Sequence, residues 1–517
     1  MSRRFCTYVM AAWLLVAVVL TLGTAFLSAS QPYIYRHGWI SADFATMARS
    51  FTRDGILKLG LVPVHNNPPL GLRPDAYIHW PPLFPILLSW VFDVFGISET
   101  SAHALMLVIL IANTALVYVL TRLTMSPAAA LIAAFAWLTL PLVVGYGHLV
   151  LHLHLALTFL LLALVAAAKG RDRGAVVFMV LATVTSWEPL LAAVGLLGAA
   201  YVTGDKPLRR TAGKLLAASV LASILVVVVY ALRYPGRFVE LFEVVAFRMG
   251  VGTIHASEIL TRNSIEPQLG LARRIMLVLD HYLEMLGGLG TLALVWTFSE
   301  LLVRVRTHIK TPWLTPFFAM AAMAFLWSAG MSNHVAIHDY EVLLAAPVTA
   351  MALGWAGAEL LERLLAWKDS VLRLRAIAVV LLVPGIMIVP SARSLKAALA
   401  ARTGYTLPAH VTGPDCEPLG EPCEAVFGWE LERLIPAGAV VVSPIESLVS
   451  VYYSNRRVIR MVRNDAEWES IRPQIQADFP ATPVYMAVPA GTEANFPRTL
   501  GSMQLRKTFA ATVARLW

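Results

Sequence analysis

Charge is what this chain lacks most. Only 14% of its residues are Asp, Glu, Lys or Arg, while 58% are hydrophobic. A soluble chain carries about a quarter charged residues, so over 517 residues this composition excludes a soluble globular protein and leaves a polytopic membrane protein. Cysteine is scarce too. Cys6, Cys416 and Cys423 show no CxxC or zinc-type spacing, which removes zinc ribbons and thioredoxin-like redox motifs. There is no GxGxxG or other phosphate loop, so no nucleotide site is legible, and neither internal repeats nor low-complexity tracts occur. The net charge of +9 would suit a polyanion, but the basic residues stand in short clusters between apolar runs. That is a topology signal, and nucleic acid is not an expected partner.

The apolar runs themselves predict about eleven transmembrane helices. Thr7 to Ser28 is the first, behind the basic start MSRRF, and reads as an uncleaved anchor although Leu27 to Ser30 mimics a signal-peptidase site. The others cover 103–121, 127–145, 148–168, 174–186, 188–203, 212–231, 283–303, 312–331, 341–365 and 374–392. Eleven spans put Arg122, Lys169 to Gly174, Asp205 to Arg210, Arg304 to Lys310 and Lys368 to Arg375 all on the cytoplasmic side. Pro82 to Phe95 is short for a crossing and reads as a helix that dips into the outer leaflet and returns. Trp187-Glu188-Pro189 breaks a long apolar stretch and reads as a tight outer turn.

The predicted architecture is therefore a transmembrane domain over 1–392, with a first outer loop at 30–102 carrying juxtamembrane helices, and a C-terminal domain over 393–517. The latter has no spanning run. Val440 to Ser443, Arg457 to Val462 and Val484 to Val488 read as buried strands and the stretches between them as helices, a soluble α/β domain of about 120 residues. Eleven spans place it outside the cytoplasm, where Cys416 and Cys423 are expected to form a disulfide. Short loops and compact organisation point to a bacterial inner membrane.

Polar chemistry gathers on the outer side. Every histidine of the thirteen except His308 falls at or near that face, as do Asp43, Glu188 and the arginines of the Arg233 to Asp280 loop. Between Trp39 and Pro85 apolar residues at Ile40, Phe44, Met47, Ala48 and Phe51 keep helical spacing, which predicts a helix lying along the membrane surface. Ser41 reads as its N-cap, putting Asp43 in the first turn, where the helix dipole favours the ionised carboxylate.

An N-terminal span, an outer acid at the start of a helix (SADFATMARSF) and the motif IHWPPLFP, with His79, Pro81, Pro82, Leu83 and Pro85, together resemble the GT-C glycosyltransferases. The similarity is to the branch holding protein mannosyltransferases and the lipid A aminoarabinose transferase. TSWEP and HDYEVLLAAP sit where that family has a break between spans and a His-x-Tyr segment, so the resemblance covers most of the chain. It implies transfer of a sugar from a polyprenyl-phosphate carrier to a glycan, lipid or protein acceptor outside the cytoplasm, within a setting of membrane lipids. It also implies that Asp43 activates the acceptor or binds a divalent metal. Two departures leave metal use and acceptor open: Phe44 stands where the family often has a second acid, and His148, His152 and His154 where it often has an aspartate.

The candidate site follows. Asp43 is the expected catalytic carboxylate; His79, Glu188, Arg248, His338 and Tyr340 are expected to bind substrate, with an outer arginine holding the lipid phosphate. A polyprenyl-phosphate sugar already has a good leaving group. The protein must supply positive charge for that phosphate, a base for the acceptor proton and a wall against water; direct displacement inverts the anomeric centre. Two other readings remain. A transporter or flippase would show mid-span charges and internal symmetry, neither of which is clear here. A non-catalytic relative that only binds the carrier is supported by the missing second acid.

Overall fold

The computed structural model describes residues 3–33, 37–65, 76–235, 238–251, 269–306, 314–367, 370–403, 421–443, 448–461, 464–478, 480–489, 505–507 and 511–515. Cys416 and the side chain of Cys423 lie outside these, and so does the expected disulfide.

The chain is an integral membrane protein built mainly of helices. In order come α1 (Arg3–Ser28), α2 (Gly38–Asp54), α3 (Leu83–Phe95), α4 (Glu99–Thr124), α5 (Pro127–Thr139), α6 (Pro141–Tyr146), α7 (His152–Ala168), α8 (Asp172–Thr183), α9 (Pro189–Val202), α10 (Lys206–Arg233) and α11 (Phe238–Met249). Helices over Leu271–Arg306, Leu314–Gly330, Ala346–Leu365, Ser370–Met387 and Val389–Thr403 follow. Five described helices are long and apolar enough to cross a bilayer alone: Phe5–Ser28, Glu99–Thr124, Lys206–Arg233, Leu271–Glu300 and Asp339–Leu365. Shorter apolar helices at Leu83–Phe95, Pro127–Thr139, His152–Ala168, Pro189–Val202 and Thr315–Gly330 accompany them. At 1.5 Å per residue α3 is roughly 20 Å long, less than the hydrocarbon core of about 30 Å.

Helix boundaries follow from local chemistry. Ser98, Ser126 and Asp205 each accept a backbone N–H of the helix they precede, and prolines stand at the first or second helical position of α5, α6, α9 and α10, where the missing N–H costs nothing. Packing between spans depends on small residues. A Cβ at Gly354 would stand 2.5 Å from the Ala129 carbonyl, so this glycine lets the Ala346–Leu365 helix lie against the alanine-rich face of α5. Gly287, at φ 69 and ψ 164, breaks the Leu271–Arg306 helix in a conformation that a side chain would strain.

Past the last of these helices, five strands form one sheet in the order β2-β1-β3-β5-β4: β1 (Val440–Ser443), β2 (Arg457–Met461), β3 (Val484–Pro489), β4 (Leu505–Lys507) and β5 (Ala511–Arg515). β1 runs parallel to β2 and β3, while β5 is antiparallel to β3 and β4. Phe427, Leu431, Val441, Val451, Ala487 and Val513 form the core between sheet and helices.

Two expectations about α2 need correction. It starts at Gly38, so Asp43 falls in the second turn. The N-cap is His37, in the left-handed region at φ 61, with no side-chain cap, and Ser41 instead accepts the Val150 N–H at 3.0 Å. Nor does α2 lie on the membrane surface. Gly38 and every residue from Ile40 to Phe51 are buried, because α3 covers one side and the short helix Leu448–Ser454 of the C-terminal region another. Arg49 donates to the carbonyls of Tyr452 (2.7 Å) and Val451 (3.1 Å) and stacks on the Tyr452 ring. Burial, then the neighbouring Arg53, pull its pKa down to about 10, which leaves it charged at neutral pH.

Candidate active site

The IHWPP segment is held by its backbone. Trp187, in the turn between α8 and α9, donates its indole N–H to the His79 carbonyl at 2.8 Å, and the Tyr230 hydroxyl of α10 donates to the Trp80 carbonyl at 2.7 Å. Leu83 N–H reaches the Val184 carbonyl at 3.1 Å. The prolines at 81 and 82 have no N–H to place, so the segment turns into α3 with its carbonyls satisfied from neighbouring spans. Its side chains are left to line the site.

Asp43 pairs with His65, Oδ1 to Nε2. The His65 ring lies 5.1 Å from Tyr77, and Tyr77 4.8 Å from His79. Tyr77 is half-buried, within electrostatic reach of Asp43, Arg248 and Glu341; desolvation, then the Asp43 carboxylate, push its phenol well above the ordinary value, so it stays neutral. Phe44 packs edge-on against Phe84 at 5.3 Å and against His152 at 5.1 Å, as part of the hydrophobic core. The position next to the acid is thus a packing position.

Arg248 comes in from α11. Its guanidinium stands 4.5 Å from the Trp80 ring centroid, and among the described residues no carboxylate ion-pairs with it. Arg274 plays another part: it donates to the Met249 carbonyl at 2.8 Å and closes the end of α11. Arg273 is exposed, and Arg237 and Arg262 lie outside the described residues.

The opposite wall comes from the residues after Leu314–Gly330. His334 lies 4.6 Å from His338, which stacks on Tyr340 at 5.2 Å and faces Trp39 at 5.7 Å. Burial, then the neighbouring imidazoles, hold His338 well below its ordinary value near 6.5, so it is neutral at neutral pH. Glu341 accepts from Trp327 Nε1 at 3.0 Å and pairs with His334 Nε2 at 3.2 Å. Trp80 closes the ring, 5.8 Å from Trp327 and 6.1 Å from His334. Glu188 is fully buried; Ser186 donates to one of its oxygens, and the carboxylate is within electrostatic reach of Glu341 and Arg248.

His79 thus lies against Tyr77, Arg248 against Trp80 and Asp43 within electrostatic reach of Tyr77; Glu188 is within reach of Arg248, and His338 and Tyr340 connect to Trp80 through His334. The histidine trio does not stay together. His152 lies against Trp80 at 4.4 Å, His154 bonds the Tyr146 carbonyl at 2.9 Å, and His148 lines a separate cavity of about 330 Å³ with Thr24, His103 and Ser391. Sequence reasoning missed Tyr77, Trp80, His334 and Glu341 as members of the site, although Glu341 follows directly on the His338 to Tyr340 segment. As for a metal, one Asp43 oxygen is engaged by His65, and no group of three His, Cys, Asp or Glu side chains among the described residues is placed to hold an ion. This donor set does not form a metal cage, and no step below runs through one.

This arrangement of helices and sheet is a fold shared with solved structures. The chain superposes on ArnT from Cupriavidus metallidurans bound to undecaprenyl phosphate with a TM-score of 0.60 at 14% identity, covering 98% of each chain; with the apo form the TM-score is 0.61 at the same identity and coverage. It also matches the archaeal oligosaccharyltransferase AglB from Archaeoglobus fulgidus in complex with an inhibitory peptide and a dolichol-phosphate, at TM-score 0.56 and 14% identity, covering 93% of this chain and 69% of that one. No protein-family model and no curated protein sequence matches.

Proposed function

We propose that this protein transfers a sugar from a polyprenyl-phosphate carrier to a glycan, lipid or protein acceptor on the outer face of a bacterial inner membrane, with inversion at the anomeric carbon. The observation that carries this is Arg248 on Trp80. A buried guanidinium stacked on an indole, with no carboxylate partner among the described residues, is a ready site for an anionic phosphate. The fold neighbours solved with undecaprenyl phosphate and dolichol-phosphate support a ligand of that chemical class.

In this mechanism Arg248 receives the carrier phosphate as charge builds on the leaving oxygen. Trp80, Trp327, Tyr340 and His338 supply flat walls for the sugar and keep water from the donor. Asp43, on the other side of Tyr77, takes the acceptor proton. The eleven-span topology belongs to the same proposal and would put these residues and the 393–517 domain on the outer side. Single cysteines from Thr100→Cys and Glu469→Cys in a cysteine-free chain should label from outside intact cells, and Lys169→Cys should not. Labelling of the last from outside would refute the span count.

For the activity, purified protein in nanodiscs is given a panel of synthetic undecaprenyl-phosphoryl monosaccharides, with a cell-envelope extract as acceptor source. Release of undecaprenyl phosphate from at least one donor, dependent on the extract, is expected. Binding of undecaprenyl phosphate without release from any donor would favour the non-catalytic reading.

A further inference from the structure

We propose that His65 shares with Asp43 the task of taking the acceptor proton, so that the base is a carboxylate–imidazole pair and not a lone carboxylate. This rests on the transferase reading above.

The pair is built from both sides. Asp43 and Ser50 stand seven residues apart on α2, two helical turns, and so share one face. Asp43 meets the His65 imidazole, and the Ser50 hydroxyl donates to the His65 carbonyl at 3.4 Å. From the far side, Val64 bridges to Ala76 and Tyr77 N–H donates to the Pro63 carbonyl at 2.8 Å. The imidazole is thereby held at the acid by backbone contacts on both flanks. Asp43 is the deeper member, with 3% of its side chain exposed against 10% for His65. Phe44, the residue next to the acid, is spent on packing, and His65 is the group that reaches Asp43.

The reaction balances as follows. The acceptor O–H bond breaks as its oxygen bonds the anomeric carbon. The bond from that carbon to the phosphate oxygen breaks, and the phosphate leaves with the electron pair. The proton goes to the Asp43–His65 pair, which holds one proton before the step and two after it. The charged and titratable groups that face the pair are Tyr77 and His79 from the following loop segment, Arg248 from α11, His152 from α7 behind Phe44, and Glu341 beyond Tyr77.

The test measures undecaprenyl phosphate release against pH, using the undecaprenyl-phosphoryl monosaccharide that the parent turns over best. His65→Gln should lower the rate about tenfold or more, yet retain undecaprenyl phosphate binding and the parental melting temperature. It should also move the acid limb of kcat/KM from the imidazole range, near 6.5, towards the carboxylate range, near 4. A separate reading needs no turnover. Carbethoxylation of His65 by diethyl pyrocarbonate, followed by mass spectrometry, reports its protonation in the full-length protein, and Asp43→Asn should move its midpoint down by about one pH unit or more.

An active parent whose His65→Gln variant keeps both rate and acid limb overturns the inference and leaves the transferase reading intact. An unmoved carbethoxylation midpoint in Asp43→Asn overturns it as well. A parent that turns over no donor overturns the transferase reading and this inference with it.

Discussion

His37 Nε2 lies 2.8 Å from Asp339 Oδ1, joining the residue that opens α2 to the segment that carries Tyr340 and Glu341. The two halves of the site, the acid-bearing helix and the aromatic wall, are tied at this point. The His37 ring also rests edge-on against Tyr146 at 5.7 Å and Tyr340 at 5.1 Å. His37→Ala should therefore loosen both halves, at about 1–3 kcal/mol for weakening the satisfaction of a buried carboxylate. Thermal unfolding in detergent checks this, and a double-mutant cycle with Asp339→Asn should show non-additive losses. Additive losses would mean that the ion pair carries no coupling.

Asp43→Asn keeps the side-chain shape and removes the base. Transfer should fall by roughly 10²–10⁴-fold, the usual worth of general-base catalysis. Undecaprenyl phosphate binding should change little, because a carboxylate does not attract a phosphate. Both quantities are to be measured on the same preparation; loss of binding together with turnover would make Asp43 a structural residue.

Arg248→Ala should act on the other quantity. Removing a buried cation from a phosphate contact costs about 2–5 kcal/mol, so retention of undecaprenyl phosphate should drop at least tenfold. Arg248→Lys should restore only part of it, since an ammonium keeps the charge but not the planar stack on Trp80. Equal binding by parent and Arg248→Ala would move the phosphate site elsewhere.

Arg49 ties α2 to the C-terminal region through two carbonyls and a ring. Arg49→Ala leaves the Val451 carbonyl only the Ser454 hydroxyl at 3.2 Å and the Tyr452 carbonyl only the Asn455 N–H at 3.4 Å, and should cost about 1.5–3 kcal/mol for the charged hydrogen bonds lost. Limited proteolysis should then release the segment after Thr403 faster than in the parent. An unchanged rate would show that Leu448–Ser454 is held by its other contacts.

His338 gives a pH dependence whose sign follows from its burial. Its folded pKa is depressed below the ordinary value near 6.5, so the unfolded chain binds more protons as the pH falls below that value. Stability from this group is complete above about 6.5 and is lost on acidification, at up to about 1.4 kcal/mol per pH unit. His338→Phe keeps a ring against Trp39 and Tyr340 without the titration. Its melting temperature should fall less than the parent's between pH 7 and pH 5; an identical fall would place the effect on other groups.

Membership of the membrane class and the presence of long apolar helices were legible in the sequence alone. These depend on quantities that are local along the chain: hydrophobic runs, and proline and serine at helix starts. Asp43, His79, Glu188, Arg248, His338 and Tyr340 stand out in the sequence as polar groups in an otherwise apolar chain.

Tertiary structure alone decided which of those groups touch. Arg49 and Tyr452 are 403 residues apart in the chain, and His37 and Asp339 are 302 apart; no periodicity reports such pairings. Amphipathic spacing in α2 suggested a helix on the membrane surface, but α3 and Leu448–Ser454 bury both of its sides, and the cap expected of Ser41 is absent because the helix starts at Gly38 and that hydroxyl accepts from Val150. Among the arginines between Arg233 and Arg274 composition offered equals, and the fold distinguished two of them: Arg274 is consumed by a helix end, while Arg248 reaches Trp80. Hydrophobicity is a property of each residue and can be read along the chain, whereas a pairing exists only once packing has brought its two members together.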